Sequence, residues 1–241
     1  MTDTARAVGT DMSIPAKPRR RTKAEQREGT LAQILDAAEY LFGLRGLYGV
    51  TLKEIAVQAN VHTSHLHYYF EDKRAIFDAV FARRADVTAD RRSAALDQYM
   101  AAHPSKPTVE GILRAYIDTD LDLYITGGDG WRNYAALGAQ VAMTPKWGAK
   151  LFDTHFDPVV LKLIDLLGRA LPECPREDIF WGYHFVAGAL VQTLARTGRI
   201  DVLSDGMCRS DDFDAIKARM ARFLAFGFEG ICRDRADARA G

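Results

Sequence analysis

The sequence predicts an all-α protein, with a three-helix head at the N-terminus, a larger C-terminal helical domain and about nine helices in total. Two observations support this fold class. Apolar residues recur at the i, i+3, i+4 and i+7 positions that form one buried helical stripe. The alternation of β-branched residues that marks strands is absent. Breakers such as HPSKP at 103–107 and TGGDG at 126–130 divide the chain into successive helices.

Residues 1–28 contain Pro15 and Pro18 and show no apolar period, so we expect a disordered arm. Within this arm the segment KPRRRTK at 17–23 has five basic residues and no acidic one. A solvated tail is the ordinary interpretation of such a run, and a basic arm that contacts nucleic acid is the alternative.

The first helix of the head is predicted from near Thr30 to Gly46. Gly46 suits the left-handed conformation that commonly follows a helix C-terminus. One apolar stripe lies between these bounds: Ile34, Ala37, Ala38, Leu41 and Phe42.

Two short helices joined by a tight turn are predicted next. Thr51 and Glu54 have the spacing of a capping box, which places the start of the first short helix at Thr51. Asn60 tolerates the left-handed conformation that the turn needs, and Val61 is expected to anchor the turn in the core. The second short helix runs to about Tyr69, and a longer helix begins near Asp72. This pattern is typical of a helix-turn-helix, which we assign to residues 29–86.

The second short helix is polar on its exposed face, as a helix that enters a DNA major groove must be. Lys73 adds a positive charge at a helix N-terminus, which is a favourable phosphate site. The candidate DNA-binding residues are Thr51, Lys53, His62, Thr63, Ser64, His65, His67, Tyr68, Tyr69 and Lys73.

Three of the six histidines fall within this segment, which raises the alternatives of a metal site or a catalytic cluster. His67 would point about 160° away from His65 on a helix of 3.6 residues per turn, and no cysteine is nearby in sequence. Bound zinc would also cover the face that must meet DNA. We therefore expect no metal, no cofactor and no catalytic residues.

Residues 34–80 resemble the tetracycline-repressor (TetR) family of bacterial transcription regulators. The family pattern T-x-x-x-I-A-x-x-A-G-V-S-x-x-x-L-Y-x-x-F-x-x-K-x-x-L is matched at fixed spacing by Thr51, Ile55, Ala56, Ala59, Val61, Leu66, Phe70, Lys73 and Ile76. The resemblance implies phosphate contacts for Thr51, Tyr69 and Lys73. It implies base contacts for Thr63, Ser64, His65 and Tyr68.

Three positions depart from this pattern. Asn60 replaces the usual glycine, a change that the turn tolerates. His62 replaces the usual capping serine, so Thr63 or Ser64 is expected to cap the helix instead. His67 replaces a tyrosine that contacts phosphate, which an imidazole can still do, with some sensitivity to pH.

In the TetR family the C-terminal helices form a ligand chamber and a dimer interface, which we assign to residues 87–241. Residues 180–206 are also similar to a subgroup that includes fatty-acid-responsive regulators. Aromatic and methionine residues predict an apolar chamber for a small hydrophobic, aromatic or acyl-bearing effector, with plain core packing as the alternative for any one of them. Because no buried basic residue is evident, a strongly anionic ligand is disfavoured. The candidates are Tyr116, Tyr124, Trp131, Tyr134, Met143, Trp147, Phe152, His155, Phe156 and His184, with Gln140 as a further polar anchor.

The helix predicted at 180–196 is apolar on nearly all sides, which indicates burial against its own domain and against a partner. Together with the last helix, at about 211–232, it is expected to form a four-helix bundle in a twofold homodimer. The alternative is that both stripes are core of one protomer. The candidate interface residues are Trp181, Phe185, Ala189, Gln192, Phe213, Met220 and Phe223.

Composition and charge are compatible with these expectations. The first 85 residues contain 13 Lys and Arg against 10 Asp and Glu, whereas the remainder contains 19 against 22. Cys174, Cys208 and Cys232 share no motif spacing, and we expect them unpaired in a reducing cytoplasm. No apolar run reaches the roughly 18 residues that a membrane span needs.

The sequence therefore predicts a cytoplasmic homodimeric repressor that binds a pseudo-palindromic operator and is released by a small hydrophobic molecule. An activator or a ligand-independent DNA-binding regulator is the alternative. An enzyme is a more distant one, since 87–241 contains no paired carboxylates, phosphate loop or metal-ligand spacing.

Overall fold

The computed structural model describes residues 22–144 and 147–240, with only the backbone described at 147, 149 and 233–240. Over these residues the protein is all-α, as predicted, and forms ten helices. They are α1 (Lys23–Arg45), α2 (Leu52–Gln58), α3 (Thr63–Tyr69), α4 (Lys73–Ala102), α5 (Val109–Thr126), α6 (Asp129–Ala142), α7 (Trp147–Ala170), α8 (Arg176–Ala195), α9 (Arg199–Leu203) and α10 (Phe213–Ala240).

The first helix begins at Lys23, earlier than the apolar stripe predicts. Thr22 accepts a hydrogen bond from the Glu25 N–H, and the Glu25 side chain accepts one from the Thr22 N–H, which forms a capping box. The helix therefore starts at its cap, and its first turns are exposed and carry no apolar period. Residues 23–28 are helical rather than disordered, and the remainder of the predicted basic arm, up to residue 21, lies outside the described residues.

The helix ends and the turn predicted for the head are confirmed. Gly46 follows α1 with a φ of 68°, and its N–H donates to the Phe42 carbonyl. Thr51 and Glu54 form the predicted capping box at the start of α2. Asn60 has a φ of 53°, and Val61 packs against the core. The long α4 starts after Asp72, whose carboxylate accepts from the Ala75 N–H.

The head and the C-terminal domain share α4, because the predicted boundary at 86/87 falls inside this 30-residue helix. In the C-terminal domain α5 packs between α4 and α10 and also contacts α6 and α7. Helix α8 packs against α6, α7 and α10. Among the residues of known placement, no helix is long and apolar enough to cross a membrane.

The prediction that all three cysteines are unpaired is wrong. Cys174, in the turn before α8, is bonded to Cys232 near the end of α10, 58 residues later. Two cysteines so distant in sequence give no spacing signal, and only the packing of α10 beside the α7–α8 turn brings them together. Cys208 is free and exposed.

Candidate DNA-binding surface and ligand cavity

The second helix of the helix-turn-helix is capped by His62. The Ser64 N–H donates to His62 Nδ1 at 3.3 Å, and the Ser64 hydroxyl lies 2.9 Å from the same nitrogen. The expectation that Thr63 or Ser64 replaces the usual serine cap is therefore wrong. An unprotonated imidazole nitrogen is an acceptor, so it can play the part of a serine oxygen at this position.

The polar face predicted on α3 is exposed. Ser64, His65, His67 and Tyr68 are accessible to solvent, and Thr63 is half-buried. Thr51 and Lys53 are exposed at the start of α2. Two of these groups also have partners within the head, because the Thr51 hydroxyl bonds to Glu54 and the Ser64 hydroxyl lies against His62.

Tyr69 has a second role, because it joins α3 to the first turns of α1. Its hydroxyl donates to the Arg27 carbonyl at 3.2 Å, and the Arg27 guanidinium lies 5.4 Å and 5.8 Å from the ring centres of Tyr68 and Tyr69. The sequence predicts Arg27 within the disordered arm, whereas the capping box at Thr22 brings it into α1, where it meets α3.

Lys73 is also engaged within the head. Its Nζ donates to the Val50 carbonyl at 2.6 Å, which closes the loop before α2 onto the start of α4. An ammonium has three donors, so two remain for another acceptor.

The capping box of α2 carries the most perturbed carboxylate of the head. Hydrogen bonds from Thr51, together with the Arg45 guanidinium at 2.7 Å, lower the pKa of Glu54 to about 2. Because the folded pKa is depressed, Glu54 stabilises the fold above its ordinary value of 4.5 and loses that contribution as the pH falls towards 2.

The three histidines of this segment do not converge on a metal site. Over the residues whose placement is described, no group of three or more His, Cys, Asp or Glu could hold a metal ion.

A cavity of about 470 Å³ lies between α4, α5, α6, α7 and α8. Of the predicted ligand residues, six line it: Tyr116, Tyr124, Tyr134, Met143, Phe152 and Phe156. Most of the remaining wall is apolar and comes from Phe81, Ala135, Gly138, Ala139, Ala142, Gly148, Val160, Tyr183, Ala187, Leu190, Val191 and Leu194.

Four other predicted ligand residues are not among those that line the cavity. Trp131 packs edge-on to Tyr134 and beneath the Arg84 guanidinium. His155 is paired with Asp86 at 2.7 Å. His184 is exposed beside Trp181. Gln140 donates to the Gly43 carbonyl instead. The side chain of Trp147 lies outside the described residues.

An ion pair inside the cavity was not expected from the sequence. Arg92 and Asp120 are only 8% and 1% exposed, and two guanidinium nitrogens donate to the two carboxylate oxygens, Nε at 3.0 Å and Nη2. A third nitrogen, Nη1, donates to the Tyr116 hydroxyl at 2.8 Å. The cavity therefore contains a buried basic residue, contrary to the sequence expectation, but its charge is already matched.

The phenols and the hydroxyls of Thr88 and Thr144 complete the polar part of the wall, and the Thr144 hydroxyl donates to the Gln140 carbonyl. Burial raises the pKa of Tyr116, Tyr124 and Tyr134, so each stays a neutral hydroxyl at physiological pH. Thr88 is buried, and its Oγ1 has no hydrogen-bond partner among the described residues. Thr88 lies beside Tyr134 without reaching hydrogen-bonding geometry.

Helix α6 belongs to the cavity wall and to the junction with the head at once. A Cβ on Gly43 of α1 would lie 3.1 Å from the Asn133 carbonyl oxygen of α6, so the two backbones are in close contact. On the same side, Glu39 of α1 accepts hydrogen bonds from Arg83 and Arg84 of α4, and Arg84 stacks on Trp131 of α6. Three helices thus meet at one packed joint.

Helices α8 and α10 leave large apolar side chains exposed. Trp181 and Phe185 are 52% and 53% exposed, and Phe223 is 76% exposed. Gln192 is also exposed, whereas Ala189 and Met220 are half-buried. Phe213 differs from the expectation, because it is buried against Tyr124 within the protomer and is not available to a partner.

Gly182 holds α8 and α10 together within one protomer. A Cβ at this position would lie 2.1 Å from the Phe228 ring. A Cβ on Gly188 or Gly227 would meet nothing within 4 Å, so the outer faces of both helices are open.

Family models and known proteins are similar to both parts of the chain. Residues 34–80 match the model for bacterial regulatory proteins of the tetR family, and residues 114–227 match that for the tetracyclin repressor-like C-terminal domain. The HTH-type transcriptional repressor BepR of Brucella suis biovar 1 (strain 1330) is 47% identical over 64 residues. This match spans 27% of the chain and 30% of BepR.

Solved structures share the fold over most of the chain. A TetR-family transcriptional regulator from Bordetella parapertussis 12822 has 16% identity and a TM-score of 0.59, with 80% of this chain and 93% of that one covered. The fatty acid degradation regulator FadR from Bacillus halodurans has 16% identity and a TM-score of 0.52, with 86% and 97% covered. With both family models matched in order on an all-helical fold that has a helix-turn-helix head, the chain belongs to the tetR family of bacterial transcriptional regulators.

Proposed function

We propose that this regulator is a homodimeric repressor in the cytoplasm that binds a pseudo-palindromic operator and is released by a small hydrophobic effector. The observation that carries the proposal is the exposed polar face of α3, held by a capped helix-turn-helix. The similarity of 64 residues of the chain to a transcriptional repressor supports repression over activation.

The contacts of the head suggest a division of work on DNA. Ser64, His65 and Tyr68 are exposed on α3 and would read base edges, while the exposed Lys53 would contact phosphate. Thr51 would contact phosphate by redirecting the hydroxyl hydrogen that it donates to Glu54. Three further candidates are partly buried, namely Thr63, Tyr69 and Lys73. Tyr69 bonds to the Arg27 carbonyl and Lys73 to the Val50 carbonyl, so substitution of either would lower the stability of the head as well as its affinity for DNA.

The cavity supports ligand response over a ligand-independent regulator. A volume of about 470 Å³ lies within the range of small-molecule sites, roughly 300–1,000 Å³, whereas a filled interior would favour the alternative. The effector shifts the protein only if it prefers the conformation that does not bind DNA.

The joint between α1, α4 and α6 offers a route for that shift. Helix α4 is one link, because it runs from the head to Arg92 in the cavity wall. Helix α6 adds a second link, because it carries Tyr134 in the wall and Asn133 against Gly43 of α1. A ligand that displaces α6 would change the orientation of the head.

A twofold dimer would bury the exposed side chains of α8 and α10. Trp181, Phe185 and Phe223 form an apolar surface of the kind that marks interaction sites. In such a dimer the two α3 helices must be roughly 34–36 Å apart, or a multiple of this distance, to meet successive major grooves on one side of the duplex.

DNA selection from a random or genomic pool tests this proposal. The expected result is an inverted repeat bound by two protomers. Its affinity should exceed that of random duplex by about 1,000-fold or more, as is usual for sequence-specific regulators. A variant with His65→Ala and Tyr68→Ala should keep its fold and lose that preference. Recovery of no common sequence would overturn operator binding, and recovery of a single half-site bound by one protomer would overturn the dimer.

A further inference from the structure

The cavity combines an apolar wall with a single matched pair of charges. Among the described residues that line it, only Arg92 and Asp120 are ionisable to a charge near neutral pH, and each is the partner of the other. The guanidinium lies 4.2 Å above the Tyr116 ring and 5.3 Å from the Phe156 ring, so aromatic faces enclose the pair. The net charge of the cavity is therefore zero.

This arrangement acts against a charged occupant of either sign. An anion would approach Arg92 only beside the Asp120 carboxylate, and a cation would approach Asp120 only beside the Arg92 guanidinium. Inside a protein such repulsion is screened weakly, and an ion brought from water also loses its hydration. Neither cost is recovered, because the only opposite charge available already has a partner at hydrogen-bonding distance.

The same wall favours a polar group without charge. Thr88 Oγ1 is buried without a partner, and an unsatisfied buried hydroxyl is costly. Arg92 uses three of its five N–H groups on Asp120 and Tyr116, which leaves two donors. A ligand hydroxyl, carbonyl or amide could satisfy these groups with no change in charge.

We propose that the effector is an uncharged, largely apolar molecule with a hydrogen-bonding group that pairs with Thr88, and that the Arg92–Asp120 pair excludes ionised ligands. Ionised fatty acids are among the molecules excluded. This inference rests on the proposed function only in naming the occupant an effector, since the charge selectivity belongs to the cavity itself.

Two fluorescent probes with one skeleton test the charge selectivity. N-phenyl-1-naphthylamine is neutral, and 8-anilino-1-naphthalenesulfonate is the same molecule with one sulfonate. Saturable binding of each to the full-length chain, in the absence of DNA, gives a ratio of Kd values, sulfonate over neutral. We expect a ratio of at least tenfold in the wild type.

Two substitutions test whether the ion pair sets this ratio, because one leaves a positive charge in the cavity without its partner and the other leaves a negative charge. Asp120→Asn leaves Arg92 unpaired, and we expect the ratio to fall at least tenfold. Arg92→Gln leaves Asp120 unpaired and should raise it. The double variant is neutral again and should restore it. Asp97→Asn is the matched control, because it releases Lys162 from an exposed salt bridge outside the cavity and should leave the ratio unchanged.

The proposal is overturned if the two probes bind the wild type equally well, or if Asp120→Asn leaves the ratio where it was. Far-UV circular dichroism and retained binding of the neutral probe show that a variant is folded. Should Asp120→Asn fail to fold, comparison of Arg92→Gln with the double variant gives the same information. Adding Asp120→Asn to Arg92→Gln must then lower the ratio at least tenfold, and no change sinks the idea.

The role of Thr88 has its own test. At pH 7, 1-naphthol and 1-methylnaphthalene compete with the neutral probe, and only the naphthol can pair with a hydroxyl. The preference for naphthol should fall about fivefold in Thr88→Val, as expected for one hydrogen bond. Thr119→Val is the control, since that hydroxyl donates to the Ala115 carbonyl of its own helix. A preference that survives in Thr88→Val removes Thr88 from the site.

These titrations contain no DNA, so they separate the two proposals. A chain that selects neutral probes but no operator contradicts only the proposed function. A chain that binds an operator but takes up the sulfonate as well as the neutral probe contradicts only the charge selectivity.

Discussion

The helix caps of the head differ from the ion pair and the disulfide of the C-terminal domain in how far apart in sequence their partners lie. In the head, Thr51 and Glu54 are three residues apart, and His62 caps a helix through Ser64, two residues away. In the C-terminal domain Arg92 meets Asp120 across 28 residues and Cys174 meets Cys232 across 58. Local caps fix the two short helices of the helix-turn-helix, whereas the Arg92–Asp120 pair forms the charged part of the cavity wall.

If buried long-range pairs matter most for stability, Asp120→Ala should be the most damaging single change. It leaves the Arg92 guanidinium buried without its partner, which we expect to lower the free energy of unfolding by about 3–5 kcal/mol. Urea unfolding followed by circular dichroism measures it. Asp90→Ala, at an exposed position of α4, should cost less than about 0.5 kcal/mol. Equal losses in both variants would contradict the contrast.

The disulfide is the second long-range pair, and Cys232→Ser removes it. We expect a loss of about 2–4 kcal/mol, because the cross-link no longer restricts the 58-residue loop of the unfolded chain. Thermal unfolding with and without dithiothreitol should show a reductant effect in the wild type and none in Cys232→Ser. Cys208→Ser, which removes the free exposed thiol, should behave as the wild type does. A wild type indifferent to reductant argues that the cross-link adds nothing to stability.

Two lysines of the head test whether local contacts and DNA contacts can be separated. Lys73→Met should lower stability by about 1.5 kcal/mol through the lost hydrogen bond to Val50, and also reduce the salt dependence of operator binding. Lys53→Met should reduce only the salt dependence, by about 0.9 in the slope of log K against log salt. Operator titrations between roughly 50 and 300 mM salt give the slope for each variant, and urea unfolding gives the stability of Lys73→Met. An unchanged slope in Lys73→Met would show that Lys73 does not contact DNA phosphate and has a structural role only.

The smallest expected effect concerns the imidazole cap. The Ser64 N–H donates to His62 Nδ1, so His62→Ala removes the acceptor, whereas His62→Ser supplies a hydroxyl oxygen in its place. We expect His62→Ala to lower the free energy of unfolding by about 1 kcal/mol and His62→Ser to lower it less. Urea unfolding measures both, with His65→Ala, on the same helix but outside the cap, as the control. Equal losses in His62→Ala and His65→Ala would rule out the imidazole as a cap.

Local signals explain why the head could be predicted closely. Thr51, Asn60 and Gly46 act on their own neighbours, so their residue types state the conformation directly. The errors in the head are also local in kind. The start of α1 depends on a cap outside the apolar stripe, and His62 acts as a cap although its residue type is unusual there.

The sequence predicts the aromatic residues of the cavity wall but not its two charged residues. Arg92 continues the stripe of Phe81, Ala85 and Thr88, which is a core position for a charged residue. Asp120 stands in the same way among Tyr116, Ile117 and Tyr124. A charge inside an apolar stripe is a detectable signal, but the pairing of the two depends on how α4 packs on α5. His155 and His184 were assigned by residue type alone, and tertiary packing directs them elsewhere.

The close contact of Gly43 with Asn133 has a thermodynamic consequence. If one rigid helix forms part of the effector site and also supports the DNA head, the two binding equilibria are coupled through it, and coupling is reciprocal. Whatever factor the effector removes from operator affinity, the operator must remove from effector affinity. Promoter occupancy would then set the effector concentration at which the gene responds, so the same protein would have different thresholds at strong and weak operators.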